Sequence, residues 1–338
     1  MFPEKLKKGD EVRVVAPSRS LGAVTKDNID HAIKVLESLG LKVTFGKHVN
    51  EKDSFSSSSI QSRLEDLYEA FQDKSVKAIL AVIGGSNANQ LIQNLDYSLI
   101  KNNPKIFCGF SDITALQNAI FHKTGLVTYS GPQFSSFAMK KGFEYTLEYF
   151  KRICFENSSK VNVGKNPIQI YPSKQWSDDA WYRDQENRTF YDNNEGYWLI
   201  QPGQAKGRII GGNLSTFQLL HGTSFIPSFE NTILFLESES LIVEGERIVE
   251  FDRDLQSVIH QPEFDKVKAL VFGRFEKKFG MNIETLKLII SKKSELKNLP
   301  IIANVDFGHT MPMITFPIGG NCEINATFSN INITVEAN

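Results

Sequence analysis

Three side chains in this 338-residue sequence have the types and settings that nucleophilic acyl transfer needs: a serine on a tight turn, a histidine after a buried strand, and a carboxylate at a strand end. The serine is Ser111, within Lys105-Ile106-Phe107-Cys108-Gly109-Phe110-Ser111-Asp112-Ile113-Thr114. The apolar run predicts a buried strand that stops at Gly109. Ile113, Leu116, Ala119 and Ile120 then recur at helical spacing. Ser111 therefore falls on a strand-to-helix turn, at the carboxyl edge of a sheet and beside a helix N-terminus that favours developing negative charge. Ile113 stands where a Gly-x-Ser-x-Gly elbow has its second glycine. A simple capping role for Ser111 or Asp112 stays open on these residues alone.

A serine nucleophile needs a base, and the base needs an orienting acid. Of the six histidines, His31 and His122 lie on predicted helices, His48 in a polar loop, and His221 and His260 near helix ends. Only His309 directly follows a buried strand, between Gly308 and Thr310, where a side chain is free to project. For the acid, Glu237 ends the most apolar strand of the second half, and a carboxylate there is costly unless it is paired or reaches a cleft. Glu239 lies on the same side two residues later, so spacing leaves the choice between the two open.

The elements that position these residues alternate. Strands are expected at 12–16, 41–45, 78–83, 106–109 and 126–129, with helical patterns between them. This predicts a parallel sheet with helices on both faces, whose sites lie at the carboxyl ends of the strands. Gly84-Gly85 and Ser111 both fall there. After residue 150 the pattern becomes polar and strand-poor, with Trp176, Trp181 and Trp198 in what reads as a long connecting loop. The last third returns to strands and helices. Its tail alternates in two runs around Asn330, which predicts an antiparallel pair within a small barrel. The expected fold is thus α/β, with an N-terminal parallel-sheet domain and a β-rich, barrel-like C-terminal domain. The expected boundaries are 1–150, 151–206 for the linker and tryptophan-rich loop, and 207–338.

Bulk properties narrow the function. A net charge of −1 supplies no basic field for nucleic acid or an anionic membrane. No apolar run has the length of a membrane span, and the charged N-terminus lacks the centre of a signal peptide, so a cytoplasmic location is expected. Cys108, Cys154 and Cys322 are scattered and odd in number, which predicts neither a disulfide framework nor a metal cluster. Gly84-Gly85 belongs to no Gly-x-Gly-x-x-Gly pattern and has no Walker lysine, which disfavours dinucleotide or triphosphate binding. No cofactor is expected. A non-catalytic small-ligand binder is the alternative if the two halves fail to close around Ser111.

Several motifs, in order, cover nearly the whole chain. They are Gly84-Gly85-Ser86-Asn87, Leu95-Asp96-Tyr97, Gly109-Phe110-Ser111-Asp112, Gly131-Pro132, Gly211-Gly212-Asn213-Leu214, Phe235-Leu236-Glu237 and Phe307-Gly308-His309-Thr310 with Pro317-Ile318-Gly319. Together they resemble the LD-carboxypeptidase family of serine peptidases. The resemblance implies a Ser-Glu-His triad at Ser111, Glu237 and His309, assembled across the cleft between two domains of a homodimer. It also implies an oxyanion hole of backbone N–H groups, placed here at Gly85 and Asp112. One branch of the family trims the terminal D-alanine from cytoplasmic murein tetrapeptides. The other, the microcin C self-immunity branch, cleaves the bond between a C-terminal aspartate and a nucleotide-like group. Ile83 stands where murein enzymes carry an arginine, and Gln175–Trp181 resembles the insert of the microcin branch. That branch is therefore expected, with Ser86, Asn87, Trp176 and Trp181 as substrate contacts and the murein activity as the alternative.

Overall fold

The computed structural model describes residues 1–156, 167–239 and 246–336; residues 157–166 of the expected connecting segment lie outside them. The first half forms β1 (Glu11–Val15), β2 (Lys42–Phe45), β3 (Val76–Ala81), β4 (Ile106–Gly109) and β5 (Thr128–Ser130). Between and after them run α1 (Lys26–Ser38), α2 (Ile60–Gln72), α3 (Tyr97–Asn102), α4 (Thr114–Thr124) and α5 (Glu144–Cys154). The strands pair parallel in the order β5-β4-β3-β1-β2. In β3 every residue but Lys77 is buried, as a strand covered on both faces must be.

The second half begins with β6 (Ile168–Ile170), β7 (Gln175–Trp176), β8 (Tyr191–Asp192) and β9 (Trp198–Gln201). It continues through β10 (Gly203–Asn213), β11 (Thr232–Glu237), β12 (Ala269–Gly273), β13 (Ile301–Val305), β14 (Phe316–Ile318), β15 (Asn321–Ala326) and β16 (Ile331–Val335). The helices are α6 (Leu214–Phe217), α7 (Arg247–Ile259) and α8 (Ile283–Ser291). Eight strands form one sheet in the order β6-β16-β15-β10-β11-β12-β13-β9. Its centre, β10 to β13, is parallel. β14 leaves this half and pairs antiparallel with β5, tying the two sheets together.

The α/β fold with a strand-rich second domain matches the expectation from sequence. Two details differ. β15 and β16 pair antiparallel as expected, but in an open sheet edged by β6 and β9 rather than in a closed barrel. Its end strands, β6 and β9, pair only with β16 and β13 and not with each other, so the sheet does not close. The segment expected as a linker supplies both edge strands. β6 and β9 have three and four residues, too few to leave a periodic signal in the sequence.

Helix α4 is the hinge of the architecture. Thr114 through Ile120 are all buried, so this helix lies between other elements instead of on a surface. Its polar side chains are spent on long-range bonds. Asn118 donates from Nδ2 to the Gly211 carbonyl (2.8 Å) and accepts the Gly211 N–H at Oδ1 (3.1 Å). Thr114 Oγ1 accepts the Asn213 N–H at 3.0 Å. The helix that begins beside Ser111 thus clamps the carboxyl end of β10 in the other sheet.

Candidate active site

Each candidate side chain stands at or just beyond the carboxyl end of a parallel strand. β4 ends at Gly109, and the chain turns through Phe110 into a 3-10 turn, Ser111–Ile113, that leads into α4. Ser111 has φ +62°, in the left-handed region that residues with a Cβ seldom adopt. Such strain costs about 1–3 kcal/mol and persists only where the surroundings fix it. Here they do. Asp112 is buried, and its Oδ2 accepts from Ser18 Oγ (2.6 Å), Asn87 N (2.9 Å) and Ala88 N (2.8 Å). The Asp112 side chain therefore caps the turn after β3 rather than its own helix. It locks the Gly84-Gly85 segment to the nucleophile turn. The fit leaves no room for a side chain, since a Cβ on Gly84 would lie 3.0 Å from Ser111 Cβ.

The second sheet brings the base and acid. His309 follows β13 and Glu237 ends β11. His309 Nε2 is 3.1 Å from Ser111 Oγ, and His309 Nδ1 is 2.9 Å from Glu237 Oε2. Asn213, at the end of β10, donates from Nδ2 to Glu237 Oε1 at 3.0 Å. Gly308 has φ +106°, and a Cβ there would lie 2.9 Å from Glu237 Oε2, so only glycine lets the histidine loop pass over the acid. Both carboxylates reach the ring, on different nitrogens: Glu239 Oε2 lies 2.9 Å from Nε2, the nitrogen that faces the serine. Glu237, on Nδ1, holds the orienting position.

Burial works against a proton on His309, but the charge and hydrogen bond of Glu237, joined by those of Glu239, outweigh it and hold the ring well above the ordinary histidine range. The Phe110 ring meets the imidazole edge-on, with centroids 5.5 Å apart.

The loop carrying His309 is anchored by a buried ion pair. Arg274 Nη2 donates to Asp306 Oδ1 (2.8 Å), and Asp306 also accepts from Ser173 Oγ (2.7 Å) and Ser173 N (2.8 Å). Removing one partner of such a pair strands the other charge. Asp306→Ala is expected to lower stability by about 3–5 kcal/mol, read by urea denaturation. A loss below about 1 kcal/mol would show that the pair is not an anchor.

The expected substrate contacts are placed unequally. Ser86 is exposed at the lip of the Gly84-Gly85 turn. The Asn87 backbone is committed to Asp112 and Arg63. Trp176 is half-buried, with the Arg274 guanidinium 5.0 Å from its ring and Tyr191 beside it. Trp181 is only 8% exposed and packs into a core cluster that draws residues from both halves of the chain. The loop they belong to is docked beside the histidine: Ser177 and Met311 exchange both backbone hydrogen bonds, at 2.7 and 2.8 Å. Sequence reasoning missed Arg19. It is exposed, carries no ion pair among the described residues, and lies against Gly85, where an added Cβ would meet its Cγ at 3.2 Å. Nothing in the local sequence signals that contact, which forms between the segments that follow the paired strands β1 and β3.

A strained serine at the end of a parallel strand, in line with a histidine and a carboxylate from a second domain, is the arrangement of a serine hydrolase. Residues 12–131 match the family model of the LD-carboxypeptidase N-terminal domain, and residues 206–324 that of its C-terminal domain. The chain belongs to the LD-carboxypeptidase family of serine peptidases. It is 51% identical over 336 residues to the Bacillus subtilis protein named "Putative carboxypeptidase YocD", covering 99% of each chain. It is similar to the crystal structure of an MccF-like protein from Bacillus anthracis, at 52% identity and TM-score 0.95, over 99% of each chain. It is also 30% identical to the microcin C7 self-immunity protein MccF of Escherichia coli, over 96% of this chain and 93% of that one. MccF in complex with aspartyl sulfamoyl adenosine superposes with TM-score 0.85 at 29% identity, over 99% of this chain and 98% of that one. Among the described residues, no helix is long and apolar enough to cross a membrane.

Proposed function

We propose that this serine peptidase hydrolyses the amide bond between an aspartyl residue and a nucleotide-like group, as in aspartyl sulfamoyl adenosine. The observation that carries the reading is the line Ser111 Oγ, His309 Nε2, His309 Nδ1, Glu237 Oε2, with contacts of 3.1 and 2.9 Å, assembled from two domains. In this reading Ser111 Oγ attacks the aspartyl carbonyl as His309 Nε2 takes its proton. The C–N bond breaks, and the same proton passes to the departing sulfamoyl nitrogen. Water then attacks the acyl-serine, again through His309, and releases aspartate and Ser111. Glu237 keeps Nδ1 protonated and offsets the charge that forms on the ring. The N–H groups of Gly85 and Asp112 receive the oxyanion. Asp112 lies in the first turn of its helix, where N–H groups have no intrahelical acceptor. Loss of one such donor typically costs about 3–4 kcal/mol in the barrier.

Arg19 at the Gly85 lip offers a cation to the aspartyl side chain, and Ser86 and Asn87 line the same edge. Arg19→Ala is then expected to raise KM for an aspartyl substrate about tenfold or more, with little change for an alanyl analogue. Equal effects on both would remove Arg19 from recognition. The docked loop supplies aromatic surface for a nucleobase through the half-buried Trp176, at about 1–3 kcal/mol per stacked base, whereas the buried Trp181 packs the loop onto the core instead of meeting substrate. The deciding experiment compares hydrolysis of aspartyl sulfamoyl adenosine with that of a murein tetrapeptide ending in D-alanine. Cleavage of the nucleotide compound supports the proposal. Cleavage of the tetrapeptide alone would overturn it in favour of murein trimming.

A further inference from the structure

Ser111 stands beyond the carboxyl end of β4, and the residue just before that strand, Lys105, is a cation that the proposed reaction does not use. Lys105 is only 7% exposed. Its Nζ donates to the carbonyls of Asp73 and Val76, in the turn that leads into β3, the second at 2.6 Å. These bonds use two of the three ammonium donors but leave the charge unmatched. Among the described residues Lys105 forms no ion pair. The acids that act on it are committed elsewhere. Asp73 pairs with Arg13 at 3.1 Å, and Glu11 with Arg13 at 2.9 Å and Lys42 at 3.1 Å. Burial pushes the Lys105 ammonium down to about 8, and Asp73 offsets that only in part. A buried charge is costly unless it is paired, and two carbonyls could be served by a neutral donor.

Lys105 lines a cavity of about 240 Å³, with Lys74, Lys77, Asn103 and Glu4 among its other walls. Lys74 is exposed and forms no ion pair among the described residues. Lys77 reaches only Glu4 Oε2, at 3.7 Å, and the glutamate is itself exposed. Three ammonium groups against one carboxylate give the walls a formal excess of two positive charges. The cavity lies at the amino edge of the first sheet, and the candidate active site at the carboxyl edge, so β4 separates the two.

We propose that this cavity binds a small phosphate-bearing anion, with Lys105 as its buried cation and Lys74 and Lys77 meeting the anion from the exposed side. A phosphate monoester carries about −1.5 to −2 charges at neutral pH, which matches the excess on the walls. Ammonium groups hold phosphate as point charges, without the planar fork that a carboxylate favours. The volume falls short of the roughly 300 Å³ at which sites for larger organic ligands begin, so a small phosphate fits and a nucleotide does not. The inference stands apart from the proposed reaction, since no residue of the catalytic line enters it.

The test titrates the protein calorimetrically with inorganic phosphate and with glycerol 3-phosphate, at neutral pH and at an ionic strength fixed with sodium chloride. One saturable site per chain is expected, and the tighter ligand tells whether the occupant is free or esterified phosphate. Lys74→Gln/Lys77→Gln is expected to weaken binding about tenfold, and Lys74→Arg/Lys77→Arg to restore most of it. Lys105→Met is expected to abolish binding; where that variant does not melt cooperatively, the double glutamine variant decides alone. Arg19→Ala, which removes the cation at the active-site lip, should leave the affinity unchanged. Three results would overturn the inference. One is no saturable binding by the parent. Another is parent-like affinity in the double glutamine variant or in a folded Lys105→Met. The third is loss of binding in Arg19→Ala, which would place the anion at the active site.

Discussion

Ser111→Ala is expected to fold like the parent and to lose turnover by on the order of a million-fold. Ser111 Oγ shares one hydrogen bond with His309 Nε2, at 3.1 Å, and is the atom proposed to attack. Alanine tolerates φ +62° no better than serine does, so the turn keeps its strain and its geometry. Thermal melting should therefore shift by no more than a few degrees for roughly 1 kcal/mol. Ser111→Gly makes the contrast. It removes the same oxygen but accepts the left-handed backbone freely, so it should be inactive and more stable than the alanine variant. Turnover by Ser111→Ala at a rate near the parent's would show that the strained serine is only a turn residue.

Glu237→Gln should be nearly as damaging, with a loss of about 10⁴-fold in kcat, for a reason visible in the bonds around it. Asn213 Oδ1 is occupied by Thr216 N–H and Ser215 Oγ, so Asn213 must donate from Nδ2 to position 237. A glutamine there has to present its oxygen to Asn213 and its NH₂ to His309. The NH₂ donates to Nδ1, and the ring proton moves to Nε2, the wrong tautomer for taking a proton from Ser111. The pH profile should shift as well. The active ring has a bare Nε2, so kcat/KM falls as pH drops through the histidine pKa. The parent's acid limb is expected above the ordinary histidine value of about 6.5, because the two carboxylates outweigh burial at His309. Removing one of these charges moves the limb to lower pH. The same raised pKa stabilises the fold below about 6.5, and that contribution fades as pH rises through the folded value. A parent-like rate and acid limb for Glu237→Gln, with Glu239→Gln taking the loss instead, would reassign the orienting acid.

The three candidate residues were legible because each lies at or shortly after the end of an apolar strand, where the sequence changes from buried to polar. Ser111, Glu237 and His309 all follow such runs, and a parallel sheet gathers strand ends at one edge. The choice between Glu237 and Glu239 was not legible. Strand periodicity puts both on one face, and only the position of the imidazole assigns them to different nitrogens. Arg19 was hidden for a similar reason, since its neighbour Gly85 lies far along the chain. Asp112 read as a helix cap, yet it caps a turn that begins at Asn87. The second domain's edge strands were too short to show a period, and a barrel was expected where an open sheet forms. In each case the missing information is a long-range contact.

The most direct measurement is labelling of the protein with a fluorophosphonate, followed by peptide mapping. An activated serine forms a stable phosphonyl ester, and an ordinary hydroxyl does not. The structure predicts one label, on the peptide carrying Ser111, lost in Ser111→Ala and strongly slowed in Glu237→Gln. No label, or a label on another serine, would contradict the assignment of Ser111 as the nucleophile.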